Sequence, residues 1–466
     1  MTTTAPQSNQ PGYRVLNPAT GEVVETFETA TDEQVGEALA AAQSAYESWG
    51  AMPITDRAPI VKRVAELFTE RADELAATIT EEMGKPFSES KGEAEFCTDI
   101  FNYFADEGPT LAADQEIKAI GGGRAMVQRL PVGPLLGIMP WNYPYYQVAR
   151  FAAPNLMLGN TIILKHAESC PRSALAIQKI MDDAGVPAGA YVNLFASHEQ
   201  IADIIADPRV QGVSLTGSER AGAIIGQLAG KNLKKAVLEL GGSDPYVVLD
   251  SADVKKDAEL AWATRIENTG QACNSNKRMI VMEDIFDDFV AGLTEQATGL
   301  VPGDPATEED GTFGPLSSRA AAEAIHEQVQ DAVAKGATLH AGGTLHEGPA
   351  SYYAPAVLSG ITEDMRAYRE ELFGPVAVVY KVSSDEEALK LANDTRYGLG
   401  GAVFSTDPER AGKLAQGLQV GMANVNGIGE GADLPFGGVK RSGFGRELGP
   451  LGMDEFVNKR LFYIAE

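Results

Sequence analysis

The sequence is poor in cysteine and in positive charge, and it has no long apolar run. Three cysteines in 466 residues, Cys97, Cys170 and Cys273, are too few and too scattered for a disulfide framework. No CxxC or paired Cys/His spacing offers a zinc site, so no metal is expected. Such cysteine usage suits a reducing cytoplasm. The opening MTTTAPQSNQPGY has neither a basic flank nor an apolar core, and no uninterrupted apolar stretch reaches membrane-spanning length, so neither export nor membrane anchoring is expected. Lysine and arginine total 38 against 65 aspartates and glutamates, a formal net charge of -27. A field of that sign repels phosphate backbones and anionic membranes, which argues against nucleic acid as a partner. The acids form no tail, and their ordinary role is a well-solvated surface.

What is present is a globular composition, 44% hydrophobic and 22% charged, over a length that needs two or three domains. Thr31-Asp-Glu-Gln34 has the form of a capping box, and Val35, Leu39, Ala42 and Tyr46 recur at helical spacing behind it. A second helical stretch from about Thr55 to Met83 stops at Gly84-Lys-Pro86, so the first hundred residues read as mainly helical. From residue 130 short β-branched runs alternate with Ala-rich helical ones: GPLLGIM, TIILK, YVNLF, QGVSLTG and AVLEL, with helices near 144–158, 172–184, 198–206 and 219–229. That rhythm predicts a doubly wound, Rossmann-like α/β domain with a mostly parallel sheet. A second α/β region follows with YVVLD, RMIVM and AVVYKV, separated by helices near 253–266 and 285–298. The boundary is set near residue 241 by motif position.

Four motifs carry chemistry. Asn268-Thr-Gly-Gln-Ala-Cys273 places a cysteine after a Gly-containing turn; alone, such a cysteine is more often a small buried hydrophobe than a nucleophile. Glu239-Leu-Gly-Gly242 ends an apolar strand with a carboxylate where α/β folds bind ligands, and shielding there would suit a general base. Its plain alternative is a solvated strand-end glutamate. Pro140-Trp-Asn142-Tyr-Pro144 holds an amide between two prolines, either as an oxyanion donor or as a backbone cap. Leu215-Thr-Gly217-Ser218 passes from strand to helix, whose free N–H groups could hold a pyrophosphate, although Gly-Ser at such a turn is common.

Together these motifs, with Asn17-Pro-Ala-Thr-Gly21, Gly159-Asn-Thr-Ile-Ile-Leu-Lys165, Glu371-Leu-Phe-Gly-Pro375 and Pro435-Phe-Gly-Gly438, resemble the aldehyde dehydrogenase superfamily through nearly the whole chain. The resemblance implies a cofactor domain (1–112 and 132–241), a catalytic domain (242–447) and a small β arm (113–131 and 448–466) that pairs subunits into a homodimer or homotetramer. It implies Cys273 as nucleophile, Glu239 as general base, and Asn142 with the Cys273 N–H as oxyanion hole. It implies a nicotinamide dinucleotide held by Pro140, Trp141, Lys165, Glu168, Thr216, Gly217, Ser218, Leu240, Gly241, Glu371 and Phe373. An aldehyde would then become a thioester on Cys273, hydrolysed by water that Glu239 deprotonates.

Pro140-Trp-Asn-Tyr-Pro-Tyr-Tyr-Gln-Val-Ala-Arg150 looks most like the succinate-semialdehyde dehydrogenase branch, in which an arginine at the position of Arg150 grips the substrate carboxylate. The alternative is a helix-surface arginine paired with a nearby acid. Glu430 stands where that branch commonly has a hydroxyl residue, and would repel an anionic substrate unless it faces away. Ser243-Asp244, Leu215 and the glycine-free Asn193-Leu-Phe-Ala-Ser197 also depart from the common pattern. Glu168 leans the cofactor toward NAD+ by repelling a 2′-phosphate, and Lys165 could offset it, which leaves NADP+ open. The competing readings are a different small aldehyde, a CoA-acylating dehydrogenase, a thioesterase using the same Cys and Glu, or a structural protein that kept the fold.

Overall fold

The computed structural model describes residues 12–465. Gln34 N donates to the Thr31 hydroxyl and Thr31 N donates to the Gln34 side chain, so the capping box opens the helix Asp32–Trp49 as its sequence predicts. The stretch expected to be one helix from Thr55 to Met83 is two, Ile54–Glu70 and Ala72–Met83, broken at Arg71. The break lets each half serve a different neighbour. Both pack on Phe87–Leu111 and on the helix Pro171–Asp183; the first also meets Tyr146–Leu158, and the second the strand Tyr13–Asn17. That strand and Glu22–Phe27 form a hairpin that was not signalled, because only Tyr13 and Val15 of its ten-odd residues face a core.

Every strand of the alternating region forms. Thr161–His166 and Pro134–Met139 are buried on both faces: Leu135, Ile162 and Leu164 enter one apolar layer, and Leu136 and Ile163 the opposite one. Two-sided burial is why these strands read as continuous apolar runs rather than alternations. The first sheet runs Gly443–Phe444, Lys235–Glu239, Gly212–Thr216, Pro134–Met139, Thr161–His166, Tyr191–Asn193, parallel except for the first strand. The order of strand addition reverses between the parallel neighbours Pro134–Met139 and Gly212–Thr216, so the switch point opens beyond Met139 and Thr216.

The second sheet has seven strands in the order Thr338–Ala341, Ala356–Ser359, Val376–Val382, Arg278–Met282, Pro245–Val248, Gly400–Phe404, Met422–Val425. Only the first is antiparallel. The chain leaves the first sheet at Glu239 and enters the second at Pro245, which brings carboxyl ends of one sheet to amino ends of the other. A third sheet pairs Val457–Ile464 with Arg124–Pro131 and Arg124–Pro131 with Gln115–Ile117, all antiparallel. Within the expected arm, Gly449–Gly452 is a helical turn rather than strand. No helix among the described residues is long and apolar enough to cross a membrane.

Candidate active site

The loop after Met139 lies at the switch point, where α/β sheets bind ligands. In it Asn142 is buried, and its Nδ2 donates to Gln271 O at 3.0 Å. Asn268 answers by donating from Nδ2 to Asn142 O at 2.8 Å. Asn268 and Thr269 both hold left-handed backbone, with φ of 51° and 54°, a costly conformation for a β-branched residue. The surroundings fix it: Asn268 N donates to Glu89 Oε2 at 2.6 Å, and Gln271 Nε2 donates to Asn268 O at 3.0 Å. The turn that presents Cys273 is therefore tied to the Asn142 loop from both sides. One Nδ2 hydrogen of Asn142 is used in this tie and the other is left for a ligand.

Cys273 lies at the amino end of Arg278–Met282 and lines a cavity of about 370 Å³. Burial pushes its thiol up to about 11; Arg150 and Lys277 pull down against burial, while Glu371 and Glu239 push up. Glu239 ends the neighbouring sheet's strand, 2% exposed. Neither of its carboxylate oxygens has a hydrogen-bond partner among the described residues. Burial, and then Glu447, hold its carboxyl well above the usual range, against Arg150. Gly437, at φ 143°, gives this carboxylate its room, since a Cβ there would stand 2.6 Å from Glu239 Oε1.

Arg150, the residue expected to hold a substrate carboxylate, is enclosed by protein. It is 0% exposed, is absent from the cavity lining, and forms an ion pair from Nε to Glu447 Oε2. Its other nitrogens donate to Thr216 Oγ1 at 3.2 Å and the Tyr146 hydroxyl at 3.3 Å. The guanidinium lies 4.3 Å from the Phe436 ring centre and 4.9 Å from that of Tyr146. Both rings line the cavity. Arg150 is thus paired with an acid, and the pair is interior rather than on a helix surface. Glu447 had no signal in the sequence because it returns from 297 residues away with the edge strand Gly443–Phe444.

The cavity wall is acidic. Glu89, Glu93, Asp244, Glu267 and Glu430 line it, with Phe96, Tyr143, Tyr146, Tyr246 and Phe436, and none of its lining residues is lysine, arginine or histidine. Glu430 therefore faces the cavity. Burial, and then Glu267, raise its carboxyl, and burial pushes Glu89 and Asp244 up to about 7.

None of the residues expected around a cofactor lines this cavity; they are placed by contacts of their own. Lys165, next to last in its strand, pairs with Glu168, which also lies 3.2 Å from His198 Nε2. Ser218 caps the helix Glu219–Lys231 through Ala221 N, and Gly217 N donates to Glu239 O at 2.9 Å. Thr216 is taken by Arg150. Trp141 and Phe373 meet edge to face at 5.8 Å, beside the Pro140 turn. Glu371 Oε1 accepts from Gly242 N at 3.0 Å, between the Leu240–Gly241 segment and Lys277. A Cβ on Gly241 would fall 2.3 Å from Glu371 Oε2, so this cradle exists only because the position is glycine. Lys277 was missed by the sequence reading, although it stands four residues beyond Cys273.

Two largely parallel sheets meet end to end, with a thiol, an unpaired carboxylate and an amide gathered where they meet, the α/β arrangement that the sequence resemblance implies. Residues 4–461 match the Aldehyde dehydrogenase family, and the chain belongs to that family. It is 52% identical over 464 residues to a succinate-semialdehyde dehydrogenase (NADP(+)) of Deinococcus radiodurans, covering 99% of this chain and 97% of that one. It is 42% identical over 454 residues to a protein of the same name from Mycobacterium avium, covering 97% and 96%. A crystal structure of succinic semialdehyde dehydrogenase from Streptococcus pyogenes in complex with NADP+ is similar at a TM-score of 0.94 and 41% identity, over 97% of this chain and 100% of that one.

Proposed function

We propose that this enzyme oxidises succinate semialdehyde to succinate with NADP+, through a thioester on Cys273. The observation that carries the chemistry is the Glu239 carboxylate, buried, unpartnered and close enough to the Cys273 thiol to act on it electrostatically. The substrate and cofactor are supported by the names of the full-length relatives. The crevice fits a dinucleotide: Gly241 leaves room against Glu371, the helix at Ser218 offers its amino end to phosphate, and Lys165 and Glu168 offer a donor and an acceptor to a ribose. The lean toward NAD+ gives way, because the Glu168 carboxylate is already engaged by Lys165 beside His198 and does not stand alone against a 2′-phosphate.

Cys273 Sγ, as thiolate, bonds to the aldehyde carbon, and the oxygen becomes an oxyanion held by Asn142 Nδ2 and Cys273 N–H. NADP+, when bound, supplies the hydride acceptor that turns this adduct into the thioester. Glu239 then takes a proton from water, the hydroxide adds to the thioester carbon, and the C–S bond breaks to give the acid and the thiolate. An available base favours hydrolysis over transfer to CoA. Arg150 serves this reading through its positive charge near Cys273 and not by contact with substrate.

A second substrate reading is favoured by one observation, the five carboxylates and absent cations of the cavity wall: an uncharged or ammonium-bearing aldehyde of the same length would meet no repulsion there. Initial rates of NADPH and NADH formation without CoA, on succinate semialdehyde, butanal and 4-aminobutanal, separate the two. The highest kcat/KM for succinate semialdehyde with NADP+ is expected; preference for either other aldehyde would replace the substrate and keep the chemistry.

The domain roles follow the sheets: the first with the dinucleotide, the second with Cys273, and the third between subunits. Leu461, Phe462, Tyr463 and Ile464 are exposed along the outer strand of the third sheet, which supports a homo-oligomer through that edge. The three unpaired cysteines support a cytoplasmic setting.

A further inference from the structure

Lys277 is 1% exposed, and its ammonium makes two hydrogen bonds and one ion pair within the active site. Nζ donates to Ala272 O at 2.6 Å and to Cys273 O at 2.8 Å, and pairs with Glu371 Oε1 at 3.2 Å. These two carbonyls belong to the two peptide planes that flank the cysteine. A trans peptide is planar, with its N–H directed opposite its C=O, and the described chain has no cis bond. Holding Ala272 O therefore aims the Cys273 N–H, and holding Cys273 O fixes the plane on the other side of the same Cα. With both planes set, the direction of the Cα–Cβ bond, and so the arc available to Sγ, is set as well.

The anchor at the far end is equally tied. Glu371 Oε1 also accepts from Gly242 N, and Gly242 approaches so closely that a Cβ there would stand 2.3 Å from Cys273 O. Cys273 O, Lys277, Glu371 and Gly242 thus form a closed ring joining the cysteine turn to the segment that follows Glu239. We propose that Lys277 is a positioning residue for the nucleophile, setting both the line of Cys273 Sγ and the direction of the Cys273 N–H that receives the oxyanion. Its charge acts in the same sense, since Lys277 lowers the thiol toward ionisation while Glu371 raises it.

The inference rests on Cys273 as nucleophile, and Cys273→Ala separates the two failures: turnover surviving in that variant would sink the reading of the site itself. The test of Lys277 is second-order alkylation of Cys273 by iodoacetamide against pH, without cofactor, together with kcat and KM, in Lys277→Met, Lys277→Arg and Glu371→Gln. Lys277→Met is expected to alkylate at least tenfold more slowly at pH 8, with its profile moved to higher pH, and to lose kcat more than it changes KM. Lys277→Arg keeps the charge but presents a planar fork, so it is expected to restore the alkylation profile and not kcat. Glu371→Gln removes an opposing charge and is expected to move the profile the other way, to lower pH, which keeps the test alive should Lys277→Met not fold. A folded Lys277→Met with the wild-type alkylation profile, or a Glu371→Gln profile moved to higher pH, would overturn the proposal.

Discussion

Removing one member of the Arg150–Glu447 pair separates two roles for the arginine. Both side chains are interior, with side-chain exposures of 0% and 5%. A buried ion pair loses about 3–5 kcal/mol when one partner goes, because the other charge remains without water or counter-ion. Unfolding entropy of roughly 2 cal/mol/K per residue gives a chain of this size about 1 kcal/mol/K, so Arg150→Met or Glu447→Gln is expected to lower Tm by about 3–5 °C. The double variant removes both charges together and is expected to lose less than the sum of the singles, with a coupling of about 2 kcal/mol or more. Differential scanning calorimetry at one scan rate measures all four proteins, and KM for succinate semialdehyde and butanal is taken on the same samples. If Arg150 instead forks the substrate carboxylate, Arg150→Met would raise KM for the semialdehyde alone while Tm stayed within 1 °C, and the counter-ion role would be refuted.

Gly437→Ala would put a methyl 2.6 Å from Glu239 Oε1 at a backbone φ of 143°. Displacing the base by that much is expected to lower kcat about 100-fold, and the absence of any pre-steady-state NADPH burst would show that the damage had reached acylation instead. Glu239→Gln keeps the shape and removes the base, so a thioester should accumulate and be visible by mass spectrometry of the quenched enzyme; no trapped acyl group would count against the role. Because burial raises the Cys273 thiol to about 11, the thiolate fraction grows with pH throughout the working range. Alkylation of the free enzyme should therefore rise about tenfold per unit from pH 7 to pH 9.5. A plateau below pH 9 would mean that the positive charges outweigh burial.

Local pattern determined much of this protein. Two-sided apolar runs marked the parallel strands, the Thr31–Gln34 capping box marked a helix start, and strand-end motifs placed Asn142, Glu239 and Cys273 near a ligand crevice, because these features depend on residues close in the chain. The hairpin at Tyr13–Phe27 escaped because few of its residues are buried, and the break at Arg71 because both halves keep the same helical period. Tertiary structure alone decided what surrounds each charge. Glu447 reaches Arg150 only through the edge strand beside Glu239, Glu430 lines the cavity together with its neighbours Ile428, Gly429 and Gly431, and Lys277 meets Glu371 from 94 residues away. Periodicity reports which face of an element is apolar, but a charged side chain's partner is set by which distant elements pack together. That is why the sequence could single out Cys273, Glu239 and Asn142 as candidates, and why it gave no sign that Arg150 packs between Glu447 and the rings of Tyr146 and Phe436.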